Sequence, residues 1–234
     1  MIPGFVLAGG ASRRMGADKA RLPDAEGWPW AARVATALAL GGCSPVTVVV
    51  RLGDGLGLWW PHDPRLPDPG GSLPWLADGS VGAPHPAYGV AAALAQARAP
   101  CALVAACDLV GLTPDAVRSL LAVGGPAVAV DAATGRPALC AVLPAARAAA
   151  AHALAEAGAP LAALWQGLPT VAFPPDALTN ANTPADAPLA SADGLRSWGA
   201  AARRGERLRL AARGAVDPRY TVDPEDADVA PPRP

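Results

Sequence analysis

The sequence predicts an α/β fold: a mostly parallel sheet with helices packed on both faces. Three observations carry this. Short apolar runs alternate with helix-length segments from the N-terminus to residue 173, the pattern of repeated strand–helix units. The run "PVTVVVRL" at residues 45–52 is β-branched and unbroken by polar positions, as in strands covered on both sides. The first apolar run ends in a glycine pair, Gly9 and Gly10, which reads as a strand leaving the sheet through a close-approach loop.

Taken in order, residues 4–8 form the first strand and residues 10–19 the glycine loop, followed by a helix from Trp30 to Leu40 that Gly41 and Gly42 stop. The second strand is residues 45–52. Residues 53–85 are rich in Pro, Gly and Asp and read as a long functional loop or lid. Its tryptophans, Trp59, Trp60 and Trp75, lack interleaved basic residues and are expected to pin the loop as a small hydrophobic cluster rather than to stack bases. A helix over residues 87–98 leads to a strand at Cys101–Ala106 that runs into Asp108. Thr113 and Pro114 start the next helix as N-cap and first helical residue. Strands follow at residues 127–130 and 137–142, then a helix at 144–157 and a strand at Thr170–Phe173.

The chain is expected to divide into a domain at residues 1–189 and a charged tail at 190–234. The tail carries a basic block, Arg196 to Arg213, then acidic residues from Asp217 to Asp228. Such blocks read as solvated, partly disordered segments.

Composition narrows the function classes. Of 234 residues, 52% are hydrophobic and the net charge is −1, so no global cationic field draws nucleic acid. Cys43, Cys101, Cys107 and Cys140 make no CxxC pair, and the three histidines are too scattered for a zinc set. Four reduced, mostly buried thiols are expected. No basic leader and no membrane-spanning run is apparent, so the expected location is the cytoplasm, without membrane partners.

The chemistry concentrates in "VLAGGASRRMGADKA", residues 6–20. In a parallel sheet, ligands collect at the carboxyl ends of the strands. There Gly9 and Gly10 admit a phosphate to the backbone, Ser12 offers a hydroxyl, and Arg13, Arg14 and Lys19 add charge. Lys19 is the one lysine among nineteen Lys and Arg residues. In a chain that otherwise uses arginine, it marks a site needing a compact ammonium rather than a planar fork. The loop contains neither GxxxxGK[ST] nor GxGxxG.

This loop resembles that of the pyrophosphorylase-type nucleotidyltransferases, and most closely the molybdenum cofactor guanylyltransferase family, through LAGG, Arg14, Met15, Gly16, Asp18 and Lys19 in register. The resemblance extends over residues 2–186. "LPD" ending at Asp68 matches the acidic position after the third strand. "HPAYG" resembles the GPLxG turn, with Gly89 kept and His85 in place of glycine. "ACD" ending at Asp108 resembles the strand-end metal aspartate, and "NANTPAD" the late NxNTPE element. Two features depart from the family: Val110 stands where proline is usual, and the 53–85 segment is longer.

The resemblance implies a Rossmann-like three-layer nucleotidyltransferase domain that moves GMP from GTP to the phosphate of molybdopterin, releasing pyrophosphate. It implies a nucleotide site of Leu7, Ala8, Gly9, Gly10, Ser12, Arg14, Lys19, Asp68, Gly89 and Asp108, with Arg14, Lys19 and Asp108 catalytic. Asp108 would hold Mg²⁺, and Asn180 and Asn182 would meet the acceptor. From the residues alone, Asp108 could cap a turn, but a carboxylate directly after a buried apolar strand at the ligand edge favours metal binding; Asn180 and Asn182 could only shape a turn before Thr183, and Asp68 belongs to a proline-rich loop. Transient docking to molybdoenzymes or other cofactor-synthesis proteins is a further implied partner. Competing readings are a cytidylyltransferase, a guanylyltransferase for a phospholactate-type acceptor, and a non-catalytic nucleotide-binding or cofactor-delivery module. By resemblance Gly9 leans toward guanine, since cytidine-using relatives tend to read LAAG.

Overall fold

A computed structural model describes residues 1–9, 19–22, 28–51, 58–60, 64–68, 70–80 and 84–178. The described strands are β1 Gly4–Leu7, β2 Val46–Val50, β3 Trp75–Ala77, β4 Cys101–Ala106, β5 Ala127–Asp131, β6 Pro137–Pro144 and β7 Thr170–Phe173. The described α-helices are α1 Trp30–Leu40, α2 Pro86–Gln96, α3 Pro114–Leu121 and α4 Ala148–Glu156. The strands form one sheet in the order β3-β2-β1-β4-β6-β5-β7. Only β6 runs against the others, pairing antiparallel with β4 and β5.

Strand alternation divides the core into two layers, because successive side chains point to opposite faces. Val6, Val48, Val50, Leu103 and Ala105 pack with the buried sides of α1 and α3. Phe5, Leu7, Val49, Ala102 and Val104 pack with α2 and α4. Fully burying a side chain such as Val6 or Leu103 contributes roughly 1.5–3 kcal/mol. The expected three-layer architecture with a mostly parallel sheet is what the molecule has.

Several details differ from expectation. Residues 53–85 are not all loop: β3 lies within them, paired parallel to β2 from Val48↔Trp75 to Val50↔Ala77. At three residues it is too short to show a period. The tryptophans do not form one cluster either. Trp60 is buried with Leu58, Leu66 and Leu73, whereas Trp75, on the edge strand, is 56% exposed. The segment expected as one helix at 144–157 is a 3₁₀ turn, Ala145–Arg147, followed by α4.

The four cysteines are free thiols, three of them buried. Burial pushes the Cys43 and Cys140 thiols up to about 12. Among the described residues no helix is long and apolar enough to cross a membrane. The 190–234 tail lies outside the described residues.

Candidate active site

The parallel strands β1, β2, β3 and β4 all end at one edge of the sheet, and pairing continues one residue past three of them. The Ala8 N–H donates to Val49 O at 2.7 Å, Asp78 N–H to Val50 O at 2.7 Å and Cys107 N–H to Leu7 O at 3.0 Å. Asp78 itself, and Gly9 and Asp108, which follow Ala8 and Cys107, are therefore fixed at the carboxyl edge, where ligands bind in such sheets.

Lys19 reaches this edge from a separate 3₁₀ turn, Lys19–Arg21. Its Nζ donates to Asp108 Oδ2 at 2.9 Å, with the two side chains 18% and 15% exposed. A charge-assisted bond of this kind is worth on the order of 1.5–3 kcal/mol, and removing either partner takes this counter-ion from a mostly buried charge. Two residues recognised from sequence 89 positions apart thus meet.

Gly9 packs against its neighbours. A Cβ there would lie 3.2 Å from both the Arg51 amide nitrogen and Asp78 Oδ2, so a side chain would have to push its neighbours by a few tenths of an ångström and the packing favours glycine. Leu7 is buried beneath α2, and Ala8 continues the ladder to β2. Gly89 lies in α2, where a Cβ would stand 3.3 Å from Leu7 Cδ2. Its bare α-carbon lets the helix settle on the strand. His85, standing where the family has glycine, caps that helix: its Nδ1 accepts from the Ala87 N–H at 3.2 Å.

Asp68 requires a correction. The expected acidic position directly after the third strand is Asp78, because β3 lies beyond Asp68 rather than before it. Asp68 is exposed, and its carboxylate fills the space that a side chain on Gly71 would need. Asp78 Oδ1 accepts from the Ser80 N–H at 2.9 Å and from its Oγ at 2.8 Å. The signal for Asp78 was present in "WLAD", an apolar run closing on an acid at a strand end, as in "ACD". Gly10, Ser12, Arg13, Arg14, Asn180 and Asn182 lie outside the described residues.

A hard divalent cation suits this edge. Asp108 supplies carboxylate oxygens there, whereas Asp78 ends β3, three strand spacings from β4 and roughly 14 Å away at the ordinary spacing; among the described residues no three His, Cys, Asp or Glu side chains gather into a metal-holding group. Mg²⁺ commonly binds through one or two carboxylates, with phosphates and water completing its shell.

This sheet is that of the α/β nucleotidyltransferases. The chain belongs to the MobA-like NTP transferase family, whose domain model matches residues 4–160. Comparison with curated protein sequences gives no significant match. Among solved structures, the fold is similar to molybdopterin-guanine dinucleotide biosynthesis protein A from Archaeoglobus fulgidus, at 19% identity and TM-score 0.54, covering 87% of this chain and all of that one (100%). It is also similar to 2-C-methyl-D-erythritol 4-phosphate cytidylyltransferase from Thermus thermophilus, at 20% identity and TM-score 0.50, covering 87% and 100%. A Mycobacterium tuberculosis protein in complex with manganese matches at 14% identity and TM-score 0.51, covering 79% and 95%.

Proposed function

We propose that the chain transfers GMP from GTP to the phosphate of molybdopterin, forming the guanine dinucleotide cofactor and pyrophosphate. The observation that carries this reading is the Lys19–Asp108 pair, 2.9 Å apart at the carboxyl edge of the sheet, in a chain of the MobA-like family whose loop has the guanylyltransferase pattern. The cytoplasm is the matching location, and the four free thiols support it.

Nucleotidyl transfer breaks the bond between the α-phosphorus and the bridging oxygen to the β-phosphate, while an acceptor phosphate oxygen attacks. Catalysis is mainly positioning and charge neutralisation. Lys19 binds the β- and γ-phosphates and follows the charge that builds on departing pyrophosphate, a task suited to a compact ammonium on a flexible stem. Arg14, by resemblance, binds the same phosphates. Asp108 would hold a magnesium ion, which would supply charge neutralisation at the phosphates. Gly9 and Ala8 bring backbone close to the nucleotide. A phosphate monoester is largely dianionic at neutral pH, so the acceptor needs no strong general base from the chain.

Gly9 has a packing cause of its own, so the base must be read from the product. Supplying the protein with Mg²⁺, molybdopterin and each nucleoside triphosphate in turn, and identifying the dinucleotide by mass, tests the reading. The expected product is the guanine dinucleotide. A cytosine product, or transfer only to a phospholactate acceptor, would replace it with the corresponding sibling activity. Binding without transfer would make the chain a delivery module.

A further inference from the structure

Lys19 and Asp108 sit on separate turns, and both turns are tied to the first turn of α1. The N–H of Trp30, the first residue of that helix, donates to Leu22 O at 2.9 Å, and the Leu22 N–H donates back to Lys19 O at 3.2 Å. This anchors the Lys19 turn. Three residues along the helix, Arg33 Nε donates to Val110 O at 3.1 Å, and Val110 lies two residues beyond Asp108. The turn after Asp108 has two internal bonds, Leu109 N–H to Ala106 O at 3.3 Å and Leu112 N–H to Leu109 O at 3.0 Å. Leu109 and Leu112 are buried at 1% and 4%. Neither internal bond engages the Val110 carbonyl; Arg33 does, joining that peptide to α1.

We propose that Arg33 is a positioning residue, acting through Val110, that holds the Asp108 carboxylate in register with the Lys19 ammonium; as a role in transfer, this rests on the function proposed above. The pair lies at 2.9 Å, within the range of a well-formed hydrogen bond, so a shift of the Asp108 turn either lengthens it or makes the flexible Lys19 stem follow, and both change the surroundings of the ammonium. One helical turn of α1 carries the anchors of both. The arginine is exposed, as an ordinary surface residue would be. Its Nε is nonetheless committed to a carbonyl on another segment, 77 positions away in sequence.

The single lysine makes this directly observable, because protein labelled with ¹³C at lysine Cε gives one lysine signal, that of Lys19. The experiment compares the full-length parent, Asp108→Asn, Arg33→Gln and Arg33→Lys. Asp108→Asn is expected to move the signal toward that of free lysine. Arg33→Gln should move it in the same direction by at least about a third as much, and lower kcat roughly five- to twentyfold with the KM for nucleotide within about twofold. Arg33→Lys keeps the charge and the aliphatic stem but lacks the Nε donor. It should show the same displacement in smaller degree, and it carries the comparison if Arg33→Gln does not fold. An arginine that only stabilises the fold would lower Tm while leaving the Lys19 signal and kcat at parental values, and that result overturns the proposal. The labelled-lysine signal decides the positioning by itself; a parent without transfer activity counts against the proposed function alone.

Discussion

Lys19 Nζ lies 2.9 Å from Asp108 Oδ2, so the ammonium occupies one oxygen of the carboxylate assigned to the metal. A divalent cation arriving without nucleotide must compete with it, whereas one arriving with a triphosphate offers Lys19 new anionic partners. Lys19→Met should therefore tighten Mn²⁺ binding to the nucleotide-free protein by at least about threefold, as read by electron paramagnetic resonance, since it removes a local like charge. Asp108→Asn should weaken that binding strongly and reduce transfer by orders of magnitude with the fold intact. Unchanged Mn²⁺ affinity in Lys19→Met would dismiss the competition.

Gly9 is expected to resist even the smallest substitution. An added methyl meets the Arg51 amide nitrogen and Asp78 Oδ2, both at 3.2 Å, and the first of these is backbone that cannot rotate aside. Gly9→Ala should lower stability by about 1–3 kcal/mol, measured by urea unfolding. Adding Asp78→Ser should recover part of the loss. Full parental stability in Gly9→Ala would show that the glycine serves the ligand alone.

The α2 cap separates the roles of the "HPAYG" turn. His85→Ala removes the acceptor for the Ala87 N–H and should cost about 1 kcal/mol, with His85→Ser losing less. Parental stability of His85→Ala in thermal melts would show that the imidazole cap contributes nothing.

Much of this molecule was legible in sequence because its signals are local. The glycines after residue 40 end α1 where expected, and Thr113 with Pro114 starts α3 with its hydroxyl accepting from the Ala116 N–H at 3.2 Å. The apolar runs at Cys101–Ala106 and Thr170–Phe173 are strands with those bounds. Lys19 and Asp108 stood out by residue type at a strand edge. The missed features depend on distant partners. β3 is defined by pairing with β2, not by its three residues, and without that pairing the short run in "WLAD" does not by itself set the acid at its end, Asp78, apart from Asp68. The reversal of β6 and the bond from Arg33 to Val110 arise from chain topology, which leaves no periodic trace.

Alkaline stability should carry the mark of the buried thiols. Cys43 and Cys140 are held up to about 12 by burial, so the native state keeps them protonated while the unfolded chain ionises from its ordinary value near 9.0. A raised folded value means full stability below the unfolded value and progressive loss as pH rises above it. Urea unfolding from pH 8 to 11 should show this decline, reduced in Cys43→Ala relative to its own stability at pH 8. Equal slopes in parent and variant would contradict it.

The most direct test of the account is the steady-state rate of guanine dinucleotide formation by Lys19→Arg. Arginine preserves the positive charge but is longer, planar and suited to a fixed bidentate geometry. It should bind the ground-state triphosphate while misplacing charge as pyrophosphate leaves. The predicted result is a KM for GTP within about threefold of the parent and a kcat lower by at least about tenfold, equivalent to roughly 1.4 kcal/mol of transition-state stabilisation. Parental kcat in Lys19→Arg would contradict the claim that this lysine is a movable charge on the leaving group.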